Sequence, residues 1–179
     1  MARLYDAALK ERGNGFFSIY VPGVGTPFAD VGDTNQDGDT LGGGAARYGA
    51  DRIHWAILQV INSVHQYLNG GDLIQPNEAK VLVASMSETR LLEGMTRRAM
   101  LTAIAQRLER VVKGHQRRVK SVHVSVFGFS RGAAQARAFV HRLYETAEAW
   151  GSGCGYNIAG IPLYLNFMGI FDTCLLYTS

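Results

Sequence analysis

A single serine, Ser130, lies between two glycines in the stretch Gly128-Phe-Ser-Arg-Gly132, where the pattern of the chain changes. An alternating apolar run, residues 121–129, precedes the serine, and an alanine-rich run, residues 131–150, follows it. A serine on a sharp turn between a strand and a helix has its hydroxyl exposed above the end of the sheet, an arrangement called a nucleophile elbow. The sequence therefore predicts that Ser130 is the nucleophile of an acyl-transfer reaction.

The small residues around Ser130 fit such a turn. A β-carbon at Gly128 or Gly132 is expected to collide with the strand or the helix, because the backbone of the turn is strained and closely packed. Three alanines would then let the helix lie close to the sheet: Ala133, Ala134 and Ala136. The alternative is that Ser130 is only the N-cap of the helix and that its small neighbours serve packing.

Negative charge that develops on a substrate's carbonyl oxygen must be stabilised by hydrogen-bond donors. The N–H of Arg131 is the first predicted donor, because it lies at the N-terminus of a helix, where N–H groups have no helical acceptor. The second is expected from Gly23-Val24-Gly25, since glycines after a buried strand allow backbone N–H groups to approach the site. An ordinary glycine-rich turn is the alternative for these three residues.

The carboxylate that orients a catalytic base is assigned to Asp172. This residue follows the apolar run 161–171, at the carboxyl end of a predicted strand, which is the edge where α/β sheets carry their chemistry. An aspartate that caps the next element or orders its loop is the alternative.

The base itself is predicted to be missing from the chain. Of the five histidines, only His141 follows Ser130, and the length of helix between them separates their α-carbons by roughly 16 Å. His123 precedes Ser130 by about 23 Å of extended strand. The remaining three are interpreted as surface or packing residues: His54, His65 and His115.

The reactive residues need a scaffold, and apolar periodicity predicts one. Runs of β-branched and aromatic residues predict strands over residues 16–21, 121–129 and 161–171. Apolar residues at helical spacing predict helices over residues 2–12, 51–68, 88–113 and 131–150. Residues 79–86 fit either a strand or a helix, and a polar, glycine-rich loop is expected to extend to about residue 48. Helices that alternate with strands indicate an α/β fold with a mostly parallel sheet flanked by helices.

Composition limits the class of protein. Of the 179 residues, 47% are hydrophobic and 18% are charged, which is enough to bury the core of one domain. The net charge of +3 comes from scattered basic residues without a nucleic-acid-binding motif, so we expect no nucleic-acid partner. The two cysteines, Cys154 and Cys174, form no disulfide or metal-binding pattern.

The N-terminal residues do not resemble a signal peptide, because an acidic residue comes early and no apolar segment follows. No run in the chain reaches the ~18 apolar residues that a membrane span needs. We therefore expect a protein without a signal peptide and without a transmembrane segment.

A second candidate site is an acidic loop in which oxygen-bearing side chains alternate along the chain: Asp33, Asn35, Asp37 and Asp39. Oxygen ligands at alternate positions around a turn glycine, here Gly38, are typical of calcium-binding loops. The pattern is incomplete, because the twelfth position is Gly44 instead of a bidentate glutamate. Calcium binding and a solvated acidic loop both remain open for this segment, and the serine chemistry itself requires no cofactor.

Three segments of the chain resemble one known family. GFSRGAAQARAF at residues 128–139, YVPGVGT at 20–26 and FMGIFDT at 167–173 are similar to the α/β-hydrolase family that includes the type VI secretion phospholipase effectors. The resemblance implies a partial α/β-hydrolase catalytic domain over residues 1–173 and an α/β-hydrolase-like sheet. Residues 174–179 fit no part of it and are interpreted as a foreign tail. The family's F-D-G-T strand is absent and no histidine follows residue 173, so we expect an incomplete catalytic domain.

The resemblance also implies a function. Ser130 would form an acyl-enzyme during hydrolysis of carboxylic esters, and the substrates would be membrane phospholipids. The protein would be an antibacterial effector that is synthesised in the bacterial cytoplasm and exported to target cells by type VI secretion. Its partners would be a secretion-machine carrier and an immunity protein. The competing hypothesis is a non-catalytic binding or scaffold module that keeps the hydrolase core.

Overall fold

The computed structural model of the chain describes residues 2–34, 43–87, 93–150 and 155–172. Within these residues the α-helices are α1 (Ala2–Ala7), α2 (Gly43–Asn69), α3 (Pro76–Ser87), α4 (Glu93–Gly114) and α5 (Arg131–Trp150). The strands are β1 (Val122–Phe129), β2 (Asn157–Ile158) and β3 (Ile161–Phe171). Short 3-10 helices lie at Arg12–Asn14 and Ala29–Val31.

The strands form a small mixed sheet in the order β1-β3-β2. β1 and β3 are parallel, and β2 is antiparallel to β3. The register pairs Phe129 with Phe171, so β1 and β3 end at the same level. The predicted α/β class is confirmed, and in the described part of the chain the sheet has one parallel and one antiparallel pair.

One face of the sheet is covered by α5. Ala133 is fully buried there and Ala136 nearly so, because small side chains let the helix approach the strands. α2 and α4 pack against α5, and α3 packs against both α2 and α4. Apolar side chains that are fully excluded from solvent fill the helical core, among them Ile57, Leu58, Ile61 and Leu108.

The face of the sheet away from α5 is rich in exposed aromatic side chains. Because side chains alternate along a strand, the odd-numbered residues of β1 point to this face. Its aromatic residues are 46–52% exposed: Phe127, Phe129, Tyr164, Phe167 and Phe171. A β-carbon at Gly169 would lie only 2.8 Å from the Phe167 ring and 2.9 Å from the Phe171 ring, so the rings close over this glycine.

The strand predicted over residues 16–21 is wrong, because this segment has no regular secondary structure. Three of its apolar side chains are 37–50% exposed: Phe16, Ile19 and Tyr20. A strand forms only where a neighbouring strand takes its backbone hydrogen bonds, and β-branched composition alone does not supply that neighbour.

Most other elements agree with the sequence predictions. The helices expected over 51–68 and 131–150 are confirmed as α2 and α5, and the strands expected over 121–129 and 161–171 as β1 and β3. The ambiguous run 79–86 is helical, because Ala79, Val83 and Met86 are buried at helical spacing on α3. α2 begins at Gly43, inside the predicted loop, and α1 ends at Ala7, short of the predicted residue 12. The start of the helix expected over 88–113 lies partly outside the described residues, which include it as α4 from Glu93 onwards.

Candidate active site

Ser130 occupies the turn that connects β1 to α5. Its φ angle of +54° lies in the left-handed region, which costs a non-glycine residue roughly 1–2 kcal/mol. Backbone hydrogen bonds hold the turn on both sides. The Ser130 N–H donates to the Phe171 carbonyl oxygen at 2.9 Å, and the Ala133 N–H donates to the Ser130 carbonyl oxygen at 2.9 Å. Backbone strain that the surrounding structure maintains in this way is typical of functional sites.

The two glycines of the elbow, residues 128–132, differ in the space around them. A β-carbon at Gly128 would lie 2.3 Å from the Gly132 carbonyl oxygen and 2.7 Å from the Ala133 α-carbon. These are backbone atoms that cannot move away, so only glycine fits at residue 128. A β-carbon at Gly132 would meet no described heavy atom within 4 Å. The expected collision therefore occurs at Gly128 and does not occur at Gly132.

Asp172 follows the last residue of β3 and lies beside Ser130 across the two parallel strands. The register pairs Phe129 with Phe171, so the residues after them leave the sheet together. Neighbouring strands are about 4.8 Å apart, which brings the two backbones into direct proximity. Asp172 also has a left-handed φ angle, +46°. Both chains therefore turn sharply at the same edge of the sheet.

The segment Gly23–Thr26, here called the glycine turn, is closed by a hydrogen bond from the Thr26 N–H to the Gly23 carbonyl oxygen at 3.0 Å. Gly25 has a φ angle of +90°, which a residue with a β-carbon rarely adopts. Within the described residues, the N–H groups of Val24 and Gly25 have no acceptor. The turn lies next to the elbow, because an Arg131 guanidinium nitrogen is 3.5 Å from the point where a Gly25 β-carbon would be.

A buried arginine, Arg52 of α2, holds the glycine turn in place. Its side chain is 0% exposed. It donates from Nε to the Pro22 carbonyl oxygen at 3.0 Å and from Nη2 to the Thr26 carbonyl oxygen at 2.5 Å. It also donates from Nη1 to the Tyr48 carbonyl oxygen at 3.2 Å and pairs with the Asp33 carboxylate at 2.9 Å. The planar guanidinium thus connects both ends of the turn to α2.

Sequence reasoning missed Arg52. The available signal was its spacing, because Arg52, Ala56 and Val60 follow one another at four-residue intervals on a helix. Ala56 and Val60 are buried, so a charged residue on the same stripe must be buried and paired. Nothing in the local sequence indicates which carbonyl groups the guanidinium binds.

Asp33, the first residue of the candidate calcium loop, forms an ion pair with Arg52. It is 5% exposed, and its carboxylate binds Arg52. The other three residues of that pattern, Asn35, Asp37 and Asp39, lie outside the described residues. Among the residues that are described, no cluster of histidine, cysteine or acidic side chains is arranged to hold a metal ion. Calcium binding stays a prediction.

All five histidines lie in the described part of the chain, and their contacts there are with groups other than Ser130 and Asp172. The nearest partners are Ser87 for His54, the Gly71 carbonyl and Asn69 for His65, the Arg117 N–H for His115, Ser121 and Asn166 for His123, and Glu145 for His141. In the described residues, therefore, no histidine is positioned as the base of Ser130.

A buried polar cluster lies where α2 meets α3. The Ser87 hydroxyl donates to the Asp51 carboxylate and lies 3.4 Å from His54 Nδ1. Asp51 and His54 are 3% and 4% exposed. Burial, followed by the positive charges of Arg97 and Arg142, lowers the pKa of His54 from 6.5 to about 4. His54 is therefore neutral at physiological pH. The only sequence signal for this cluster was the presence of polar residues on an apolar helix.

Ser130 and Asp172 thus follow neighbouring strands at one edge of the sheet, and the Arg131 side chain reaches from the elbow to the glycine turn. An acyl-transfer site requires a nucleophile, an acid that orients its base and hydrogen-bond donors for an oxyanion. The candidates for these roles are Ser130 in its strained turn, Asp172, and the N–H groups of the glycine turn. A base is not among the groups that the described residues bring there.

Comparison with known proteins gives a likeness to a solved structure. No protein-family profile and no curated protein sequence matches the chain. A solved structure, described as that of an uncharacterized protein from Pseudomonas aeruginosa, superposes with a TM-score of 0.84 at 30% sequence identity. The likeness covers 96% of this chain and 26% of that chain, so this chain spans about a quarter of the length of the protein it matches.

None of the helices in the described ranges combines the length and the apolar character that crossing a bilayer would require.

Proposed function

We propose that this chain carries the nucleophile-bearing core of a serine hydrolase that cleaves carboxylic esters. The observation that carries the proposal is the conformation of Ser130. A non-glycine residue with a φ angle of +54° is maintained between a strand and a helix, and Gly128 leaves no room for a β-carbon beneath it. Such strain has a clear use where a hydroxyl must be exposed at the end of a sheet.

In the proposed reaction, Ser130 Oγ attacks the ester carbonyl carbon and its proton passes to a histidine base. The resulting oxyanion accepts hydrogen bonds from the Arg131 N–H and from the N–H groups of the glycine turn. The tetrahedral intermediate then expels the alcohol, which takes the proton from the histidine. Water hydrolyses the acyl-enzyme by the same route in reverse, and Asp172 orients the histidine throughout.

The histidine of this mechanism is proposed to come from sequence beyond this chain. Each of the five histidines described above is bound to other groups, and a matching solved protein is longer, since this chain covers 26% of it. The α/β-hydrolase fold is part of the same proposal. The parallel β1–β3 pair with the elbow between β1 and α5 supports it.

The substrate class is proposed from the family resemblance. Phospholipid esters, export by type VI secretion, and a carrier and an immunity protein as partners all follow from the similarity of residues 20–26, 128–139 and 167–173 to the phospholipase effectors.

A fluorophosphonate probe tests the proposal, because it reacts with activated serines. We expect mass spectrometry of the labelled full-length protein to identify Ser130 as the modified residue. Ser130→Ala should abolish labelling, whereas Ser125→Ala should keep it, because Ser125 is an exposed serine on β1, the strand that precedes the elbow. Equal labelling of Ser130→Ala and the unmodified protein would overturn the assignment.

A non-catalytic binding or scaffold module is the second candidate function. The absence of a histidine beside Ser130 and Asp172, among the residues described, favours it. Under this alternative the full-length protein would bind ester-bearing ligands without turnover, and Ser130 would not react with the probe.

A further inference from the structure

The reaction proposed above uses only the N–H of Arg131, yet the side chain of this residue has a defined place. Its Nη2 and Nη1 atoms lie 3.5 and 3.6 Å from the point where a β-carbon on Gly25 would be. The guanidinium therefore lies against the glycine turn, and the residue that carries it directly follows Ser130 in the elbow.

The positive charge of Arg131 is not compensated by described residues. None of their carboxylates forms an ion pair with it, and this includes Asp172. The first turn of α5 contains no acidic residue, although the partial positive charge at a helix N-terminus favours one there. Arg131 is also exposed to solvent. The residue that follows the proposed nucleophile thus carries an exposed positive charge.

A comparison with Arg52 indicates that Arg131 has another purpose than holding the turn. Arg52 already connects Pro22 and Thr26 to α2, and its donors are used by protein oxygens. Among the described residues, no hydrogen bond or ion pair uses the guanidinium donors of Arg131. An arginine with unused donors beside a reactive serine has the chemistry to bind an anionic group of a ligand.

We propose that the Arg131 side chain binds a phosphate group of the substrate and thereby selects esters that carry a phosphate near the scissile bond. The inference rests on the proposed function, because it assigns a specificity residue to that site. The planar guanidinium of arginine can donate two parallel hydrogen bonds to two oxygens of one phosphate, whereas the ammonium group of lysine acts as a single point charge. In a glycerophospholipid the phosphate and the acyl esters share one glycerol unit, so both can reach Arg131 and Ser130 together.

Binding to the full-length protein with Ser130→Ala, which prevents turnover, provides the test. The probes are a monomeric short-chain phosphatidylcholine, the diacylglycerol with the same acyl chains, and inorganic phosphate, each titrated by calorimetry or NMR. We expect the phospholipid to bind at least about tenfold more tightly than the diacylglycerol, which corresponds to one charge-assisted interaction. Arg131→Gln should remove this difference, and Arg131→Lys should restore only part of it.

Arg137→Gln is the matched control, because Arg137 is an exposed arginine on the same helix. We expect it to leave the tenfold preference unchanged. If Arg131→Gln weakens both lipids equally, the residue only supports the turn and the inference is overturned. The same holds if the preference is absent or survives Arg131→Gln. Binding of inorganic phosphate that depends on Arg131, without a preference between the lipids, assigns the site to free phosphate and also contradicts the inference.

The two proposals fail separately. Ser130 labelling with no effect of Arg131→Gln on lipid preference overturns the phosphate site and keeps the hydrolase. A preference that depends on Arg131 in a protein whose Ser130 is never labelled overturns the hydrolase and keeps the phosphate site.

Discussion

The elbow and the glycine turn meet at the same edge of the molecule, but different interactions hold them. The elbow is held by backbone contacts: the hydrogen bond from the Ser130 N–H to the Phe171 carbonyl oxygen of β3, and the close approach of Gly128 to the Gly132 carbonyl. The glycine turn is held by the buried side chain of Arg52, which donates hydrogen bonds to the carbonyl oxygens of Pro22 and Thr26 at the two ends of the turn.

This difference means that the two segments respond to different changes. The elbow tolerates no side chain at Gly128. Substitutions away from the residues that contact the elbow should leave its conformation unchanged. The glycine turn depends on a residue 26–30 positions later in the chain and on the pairing of that residue with Asp33. Substitutions can therefore break either segment without the other.

Replacing Arg52 should have the largest effect and should disturb the glycine turn first. Arg52→Met leaves the buried Asp33 carboxylate without its cation, and such losses cost about 3–5 kcal/mol of unfolding free energy. Urea denaturation measures the change. Arg107→Met is the control, because the Arg107–Glu78 pair is 38% and 39% exposed and should cost at most about 1 kcal/mol. A similarly small loss of unfolding free energy in both variants would contradict the structural role of the buried Arg52 guanidinium.

The elbow is tested by the two glycines that flank Ser130. Gly128→Ala should cost about 3 kcal/mol or more, because the new methyl group would lie 2.3 Å from a backbone oxygen that cannot yield. Gly132→Ala should be neutral or stabilise by up to about 1 kcal/mol, since the position is open and helical. Equal losses in thermal or urea unfolding would show that the close approach at Gly128 is absent.

Acid should weaken the helix that supports the glycine turn. The pKa of His54 on α2 is lowered to about 4, first by burial and then by Arg97 and Arg142. The unfolded chain therefore binds a proton more tightly than the native state. The contribution of neutral His54 to the free energy of unfolding should be fully present above about pH 6.5. It should be lost progressively, by up to about 3 kcal/mol, as the pH decreases to 4. Urea titrations across this range measure the slope, and His54→Gln should flatten it. An unchanged slope in that variant would remove His54 as the cause.

The smallest effect is expected within the glycine turn itself. Gly25→Ala should cost about 1–2 kcal/mol, because its φ angle of +90° is unfavourable for a residue with a β-carbon. Gly23→Ala should change stability by less than about 0.5 kcal/mol, because a β-carbon there meets no described atom within 4 Å. Equal values for the two variants would mean that the turn does not hold Gly25 in this conformation.

The local sequence predicted the secondary structure correctly where that structure depends on residues close together in the chain. The change from strand period to helix period around Ser130 predicted β1, the turn and α5, because each is determined by residues a few positions apart. The same reasoning failed at residues 16–21, where aromatic composition predicted a strand and the segment lies exposed without one. A strand requires a partner, and single-sequence patterns do not specify partners.

The steric explanation of the elbow was also correct for only one of its two glycines. Sequence spacing treats Gly128 and Gly132 alike, whereas the structure packs one against α5 and leaves the other open. Which glycine is required depends on how the helix lies on the sheet, and that is a tertiary property.

The sequence by itself determined the alternation of helices and strands, the position of Ser130 at a boundary between them, and the small residues that let α5 approach the sheet. These features depend on periodicity and on local sterics. Only the tertiary structure decided that Asp172 lies beside Ser130, that Arg52 holds the glycine turn, and that the histidines of the chain bind elsewhere. Those contacts join residues far apart in sequence, and their geometry is set by the packing of helices and strands around a common core.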